Sequence, residues 1–218
     1  MDEEGTVSET PRLMPGGCLI GITGGIACGK SEVGRIWSDA GVVVRDADAM
    51  AHEAIAPGGP AHDEVVARFG RDILREDGEV NRAALGERVF AHPAEREALN
   101  AIVHPHVRKA WRRWAREMRE ENRVAAIIIP LLFEVGAESD VDTVLCVAAS
   151  EDRVLERMAR RGLTEDQARR RLAAQWPLAE KMRRADYNIE NNDTKDVLKQ
   201  RALHIVQTIL NKETNRHA

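Results

Sequence analysis

A chain of 218 residues, 43% hydrophobic and 31% charged, is long enough for one well-buried core with small appended lobes and has a globular balance, which excludes fibrous and wholly disordered classes. A formal net charge of −4 gives no general reason to expect a polyanion partner, and aromatic residues at 4% leave a core that must be mostly aliphatic. Cys18, Cys28 and Cys146 form neither a CxxC pair nor a ligand-like cluster, as in a reduced intracellular protein, and no apolar run approaches the roughly 20 residues of a membrane span, so the expected location is the cytoplasm with no membrane partner.

Residues 1–17, MDEEGTVSETPRLMPGG, are acidic, rich in Gly, Pro and Thr and without apolar period, and are expected to form a disordered extension. From Leu19 onward apolar runs alternate with helical patterns. CLIGIT at 18–23 reads as a buried strand, followed by a glycine-rich loop and a helix from about Lys30 to Ala40, closed by Gly41. VVV at 42–44 reads as a second strand, VAAIII at 124–129 as a third stopped by Pro130, and VDTVLCVA at 141–148 as a fourth. YNIE at 187–190 is a short fifth, and the last helix carries Leu198, Ala202, Ile205 and Ile209 on one core face. Short apolar strands separated by helices predict an α/β fold with a parallel sheet covered on both faces. Two segments break the rhythm: residues 49–122, helical throughout, and residues 151–185, dense in arginine. Insertions at those places suggest mobile lobes over the crevice at the carboxyl ends of the strands.

The loop matches G-x-x-x-x-G-K-[ST] from Gly24 to Ser31 and lies between a strand and a helix, the context that gives this motif its meaning. Gly24, Gly25, Ile26, Ala27, Cys28 and Gly29 are expected to wrap a polyphosphate with backbone N–H groups, aided by the helix dipole. Lys30 supplies a point charge for the outer phosphates, the Ser31 hydroxyl can ligand Mg²⁺, and Glu32 places a carboxylate in the first helical turn. A Cys28 thiol at a helix N-terminus would have a lowered pKa and be oxidisable, against the plainer reading of a small loop thiol. VVVRDAD then brings Asp46 and Asp48 off the second strand. One carboxylate is expected to orient or deprotonate a phosphoryl acceptor and the other to cap the following helix, and position alone does not choose between them.

VRKAWRRWAREMREENR at 107–123 has the look of a nucleic-acid helix, yet Val107, Trp111, Trp114 and Met118 fall at steps of four, three and four, which makes a packed stripe, and glutamates interleave the arginines. No nucleic-acid partner is expected. Pro105 is expected at the first position of a new helix.

Taken together, GITGGIACGKSEV, DADAMAHEAIAPGGPA, LNAIVHPHVR, IPLLFE, RRGLTEDQARRRLAAQWPLAEK and ADYNIENN closely resemble the dephospho-CoA kinase family, in the family's order and over about Leu19 to Leu210. The resemblance implies a three-layer P-loop NTPase fold like that of nucleoside monophosphate kinases, with a five-stranded parallel sheet. It implies a nucleotide-binding core from 18–48, 123–150 and 186–212, a helical CoA lobe at 49–122 and a lid at 151–185. It implies ATP and Mg²⁺, dephospho-CoA as substrate, and Asp48 as base for the ribose 3′-hydroxyl. His104 is expected to line the substrate lobe, with Arg108 or Lys109 on the same helix against the substrate's diphosphate. Of the lid arginines Arg153, Arg157, Arg160 and Arg161, Arg160, just before the RGLT turn, is the one expected to reach the transferring phosphate. A monomer or weak homo-oligomer is expected.

Overall fold

The computed structural model describes Met14 and residues 16–216. Strand β1 (Cys18–Gly24) is buried at all seven positions, as a strand with a covered layer on each face must be. Helix α1 (Lys30–Asp39) follows the loop and buries Val33, Ile36 and Trp37. Its end is closed by Gly41 at φ +87°, and Val42 N–H donates to Trp37 O, so Val42 serves the helix end and β2 begins one residue later, at Val43–Asp46. Helices α2 (Ala47–Ile55), α3 (His62–Phe69), α4 (Arg82–Ala91) and α5 (Pro93–Glu120) come next. Then follow β3 (Val124–Ile128), β4 (Thr143–Ala148), α6 (Glu151–Ala159), α7 (Glu165–Ala173), α8 (Leu178–Arg184), β5 (Tyr187–Glu190) and α9 (Lys195–Arg216).

The five strands lie in the order β2-β3-β1-β4-β5, with β1 parallel to β3 and β4, and β4 parallel to β5. Thr23 stands beside Cys146 in this register, and Ile22 beside both Ile128 and Leu145. Two carboxylates fix where strands start. Asp142 Oδ2 accepts Leu19 N–H at 2.7 Å and Asp186 Oδ2 accepts Val144 N–H at 2.8 Å. β4 begins at Thr143, two residues after the apolar Val141, and Asp142 just before it bonds β1 with its backbone as well, its N–H donating to Leu19 O at 2.9 Å.

The buried core cluster is made of aliphatic and sulfur-bearing side chains together with Trp37, fully buried, whose indole N–H donates to Ala202 O at 2.8 Å and ties α1 to α9. On α9 the buried face is Leu198, Ala202, Val206 and Ile209, so Val206 takes the place expected of Ile205, which is half-buried. Thr164 and Gln167 form a reciprocal cap at the start of α7, a pattern written in the sequence as TEDQ.

The expected disordered extension is corrected at its end. Met14 is 3% exposed within the core, its N–H donates to Asn122 O, and Gly16 N–H donates to Asn122 Oδ1. Residues 1–13 and 15 of that extension lie outside the described residues.

The chain divides into two compact units, one of Met1–Arg45 with Ala115–Ala218, the other of Asp46–Trp114. The second holds α2, α3, α4 and most of α5, a narrower span than the expected 49–122 at its end and a wider one at its start. Within it Val65, Phe69, Ile73 and Leu85 are buried, and Arg88 lies over the Phe69 ring while pairing with Glu95. Pro105 stands inside the single helix α5, correcting the expected break. Proline removes one N–H from the ladder, but the apolar stripe runs on through it: Val103, Val107, Trp111, Trp114 and Met118 are all buried, and their packing carries the helix.

Candidate active site

The loop between β1 and α1 is shaped by two glycines no other residue can replace without strain. Gly24 has φ +141° and Gly29 φ +104°; a methyl on the first would collide with Val147 O, on the second with Asn191 Nδ2. Between them Ala27 sits at φ +55°, a left-handed conformation that costs a non-glycine residue about 1–2 kcal/mol and so needs support. Three bonds from outside the loop supply it. Arg157, on α6, donates to Ala27 O at 3.1 Å and to Cys28 O at 3.4 Å, and its other terminal nitrogen donates to Asn191 O at 2.8 Å. The Asn191 side-chain amide, buried just past β5, donates to Cys28 O at 2.8 Å. These bonds fix the Ala27 and Cys28 carbonyls, and a glycine-bent loop held in this way at a helix start is the kind of backbone that binds phosphate.

Lys30 opens α1, and its ammonium donates to Gly24 O at 3.2 Å and Gly25 O at 2.8 Å, inside the curve of the loop. Ser31 is exposed in the same first turn. Glu32 is held by Arg35 at 2.9 Å, and that hydrogen bond keeps its carboxyl below the usual range, so its partner lies along α1. The lowered thiol pKa considered for Cys28 is overturned. Its side chain is wholly buried, and burial raises the thiol above its ordinary value, outweighing the pull of Lys30. Burial likewise pushes Cys146 up to about 12. A cavity of about 370 Å³ opens beside the loop, lined by Gly25, Cys28, Val154, Leu172, Trp176 and Leu178 among others.

Asp46 and Asp48 now separate. Asp46 is the N-cap of α2, its carboxylate accepting Asp48 N–H at 2.8 Å. The capping task is therefore taken, and Asp48 is exposed in the first turn of α2. His104 and Arg108 stand one turn apart on α5, on one face of that helix. The His104 imidazole is held below its ordinary value by partial burial.

Of the four arginines considered in the 151–185 segment, Arg153, Arg157, Arg160 and Arg161, the structure brings Arg157 to the loop. Arg160, the one singled out from sequence, has a 75% exposed side chain and pairs with Glu156 at 2.7 Å. Helical spacing carried the signal: Val154 and Met158 are the buried positions of α6, so Arg157 borders the inward face. Asn191 left no comparable signal. Nor did Lys181, fully buried, which pairs at 2.6 Å with Glu134, the end of the PLLFE stretch, and so ties α8 to the turn after β3. Among the described residues no group of three or more His, Cys, Asp or Glu could hold a metal ion, and no helix is long and apolar enough to cross a membrane.

A parallel sheet with order β2-β3-β1-β4-β5 and a lysine-bearing phosphate loop after its central strand define a nucleotide-binding protein of the P-loop α/β class. The comparisons narrow the class. The dephospho-CoA kinase family model matches residues 18–196, and the chain belongs to that family. It is 47% identical over 190 residues to a dephospho-CoA kinase of Geobacillus kaustophilus, covering 86% of this chain and 94% of the relative. Among solved structures, TT1252 from Thermus thermophilus is similar at 35% identity and a TM-score of 0.73, over 92% of this chain and 98% of that one. A dephospho-CoA kinase from Campylobacter jejuni is similar at 26% identity and a TM-score of 0.70, over 90% and 98%.

Proposed function

We propose that this chain transfers the terminal phosphoryl group of ATP to the ribose 3′-hydroxyl of dephospho-CoA, giving coenzyme A and ADP, the last step of coenzyme A synthesis. The observation that carries the proposal is the braced phosphate loop in a chain of this family: Arg157 and Asn191 hold the Ala27 and Cys28 carbonyls, and the Lys30 ammonium lies against Gly24 O and Gly25 O. Phosphoryl transfer asks a protein chiefly for positioning and charge neutralisation, and loop amides with one ammonium supply both.

Asp48 is assigned to the acceptor hydroxyl, orienting it and taking its proton, because Asp46 is committed to its cap. His104 and Arg108 are assigned to the substrate, the arginine to its diphosphate. Mg²⁺ suits Ser31: the ion binds through one or two protein oxygens and completes its shell with phosphate and water, so one exposed hydroxyl at the helix start fits. Bound there, it would neutralise phosphate charge. The 151–185 segment is read as a lid whose closure excludes water and suppresses hydrolysis of ATP. The reading makes the protein a cytoplasmic enzyme with a small-molecule substrate, acting as a monomer or weak homo-oligomer.

A coupled ADP-release assay tests this with dephospho-CoA, AMP, cytidylate and water as acceptors. Dephospho-CoA should stimulate ADP release and D48N should lower kcat by about 10²–10⁴-fold. No stimulation by dephospho-CoA would overturn the proposal.

A further inference from the structure

Lys181, on α8, is a fully buried cation. Its ammonium pairs with Glu134 Oε1 at 2.6 Å and donates to Pro130 O at 3.0 Å. The same Pro130 carbonyl accepts the Thr23 hydroxyl at 3.2 Å, and Thr23 is the residue before Gly24, at the start of the phosphate loop. Glu134 Oε1 also accepts Trp176 N–H at 3.1 Å, which pins the turn leading into α8. One turn before Lys181, Leu178 lies over the loop: its methyl carbons are 3.6 and 3.8 Å from where a Cβ on Gly25 would stand. The pair thus seats α8, and α8 covers the first bend of the loop.

Stability alone does not account for this arrangement. A buried ion pair often contributes no more than an apolar pair of the same volume. Here Glu134 Oε2 is buried and finds no donor among the described residues, which adds a cost. What an apolar pair would lack is direction: neither Pro130 O nor Trp176 N–H would be held by it.

We propose that Lys181 and Glu134 are positioning residues for the nucleotide, acting through α8 and Leu178 on the phosphate loop. The inference deepens the ATP-dependent function proposed above and rests on it for the nature of the ligand. Its readout is ATP binding, which needs no acceptor. Titration calorimetry with ATP and Mg²⁺ should give a Kd raised about tenfold or more in K181M and by a smaller factor in E134Q. The double variant E134L/K181M restores an apolar interior, and its Tm should return close to the parental value while its ATP Kd stays raised. K181M or E134Q binding ATP with the parental Kd would overturn the inference, as would a double variant that recovers both Tm and Kd, since the role would then be packing alone. If K181M fails to fold, E134Q and the double variant decide. A parent that binds ATP but does not phosphorylate dephospho-CoA would end the substrate assignment and leave this test standing.

Discussion

Replacing Arg157 by alanine removes the arginine's part of the loop's brace, leaving the Asn191 bond to Cys28 O, and leaves every residue of the phosphate motif in place. The guanidinium makes two sound bonds, to Ala27 O at 3.1 Å and Asn191 O at 2.8 Å, and a marginal one to Cys28 O at 3.4 Å. Bonds from a charged donor contribute about 1.5–3 kcal/mol each; because Arg157 is only half-buried, the low end applies, giving about 3 kcal/mol for the two. Ala27 at φ +55° would then relax, and a nucleotide would have to restore the loop on binding. At about 1.4 kcal/mol per tenfold, ATP affinity should weaken by about 100-fold. R157K, a single point charge without the planar fork, should recover only part of it. R160A is the control: its side chain is 75% exposed and pairs with an exposed glutamate, so ATP Kd should stay within about twofold of the parent. Titration of each variant with a fluorescent ATP analogue, alongside a melting curve to establish folding, reads the effect. An R157A protein that binds ATP within about threefold of the parent, or an R160A protein that loses as much, would refute the reasoning.

Gly29→Ala should cost about 3 kcal/mol, from left-handed strain at φ +104° together with displacement of the buried Asn191 amide from Cys28 O, so its Tm should fall by roughly 6–12 °C; an unchanged Tm with full ATP binding would count against the loop geometry. Glu32 titrates below its ordinary value when folded because of Arg35, so its contribution is present above the unfolded carboxyl pKa and is lost as pH falls through the lower folded one. E32Q should therefore melt about 1–2 °C below the parent at pH 7, with the gap closing below about pH 4, in parallel thermal melts across that range; a gap that persists in acid would point to a cause other than the pair.

The phosphate motif, the alternation of strands and helices and the tryptophan stripe of α5 were fixed locally. Each rests on a spacing or a backbone preference that a chain carries wherever it goes: glycines at the bends, apolar residues every second or every third and fourth position. Choices among equivalent residues were not local. Asp46 and Asp48 are alike in sequence, and only the N-cap geometry of α2 commits the first. Arg157 and Arg160 are alike in chemistry, and only the approach of α6 to residues 130 positions earlier brings one of them to the loop. For Cys28 a helix N-terminus argued for a lowered pKa, but that ignores burial, which depends on every element packed around the thiol and wins. Local pattern therefore determined which chemistry this chain carries. Tertiary structure decided where each of these side chains lies and what it is bonded to, because desolvation and hydrogen-bond geometry belong to the packed environment and not to any one segment.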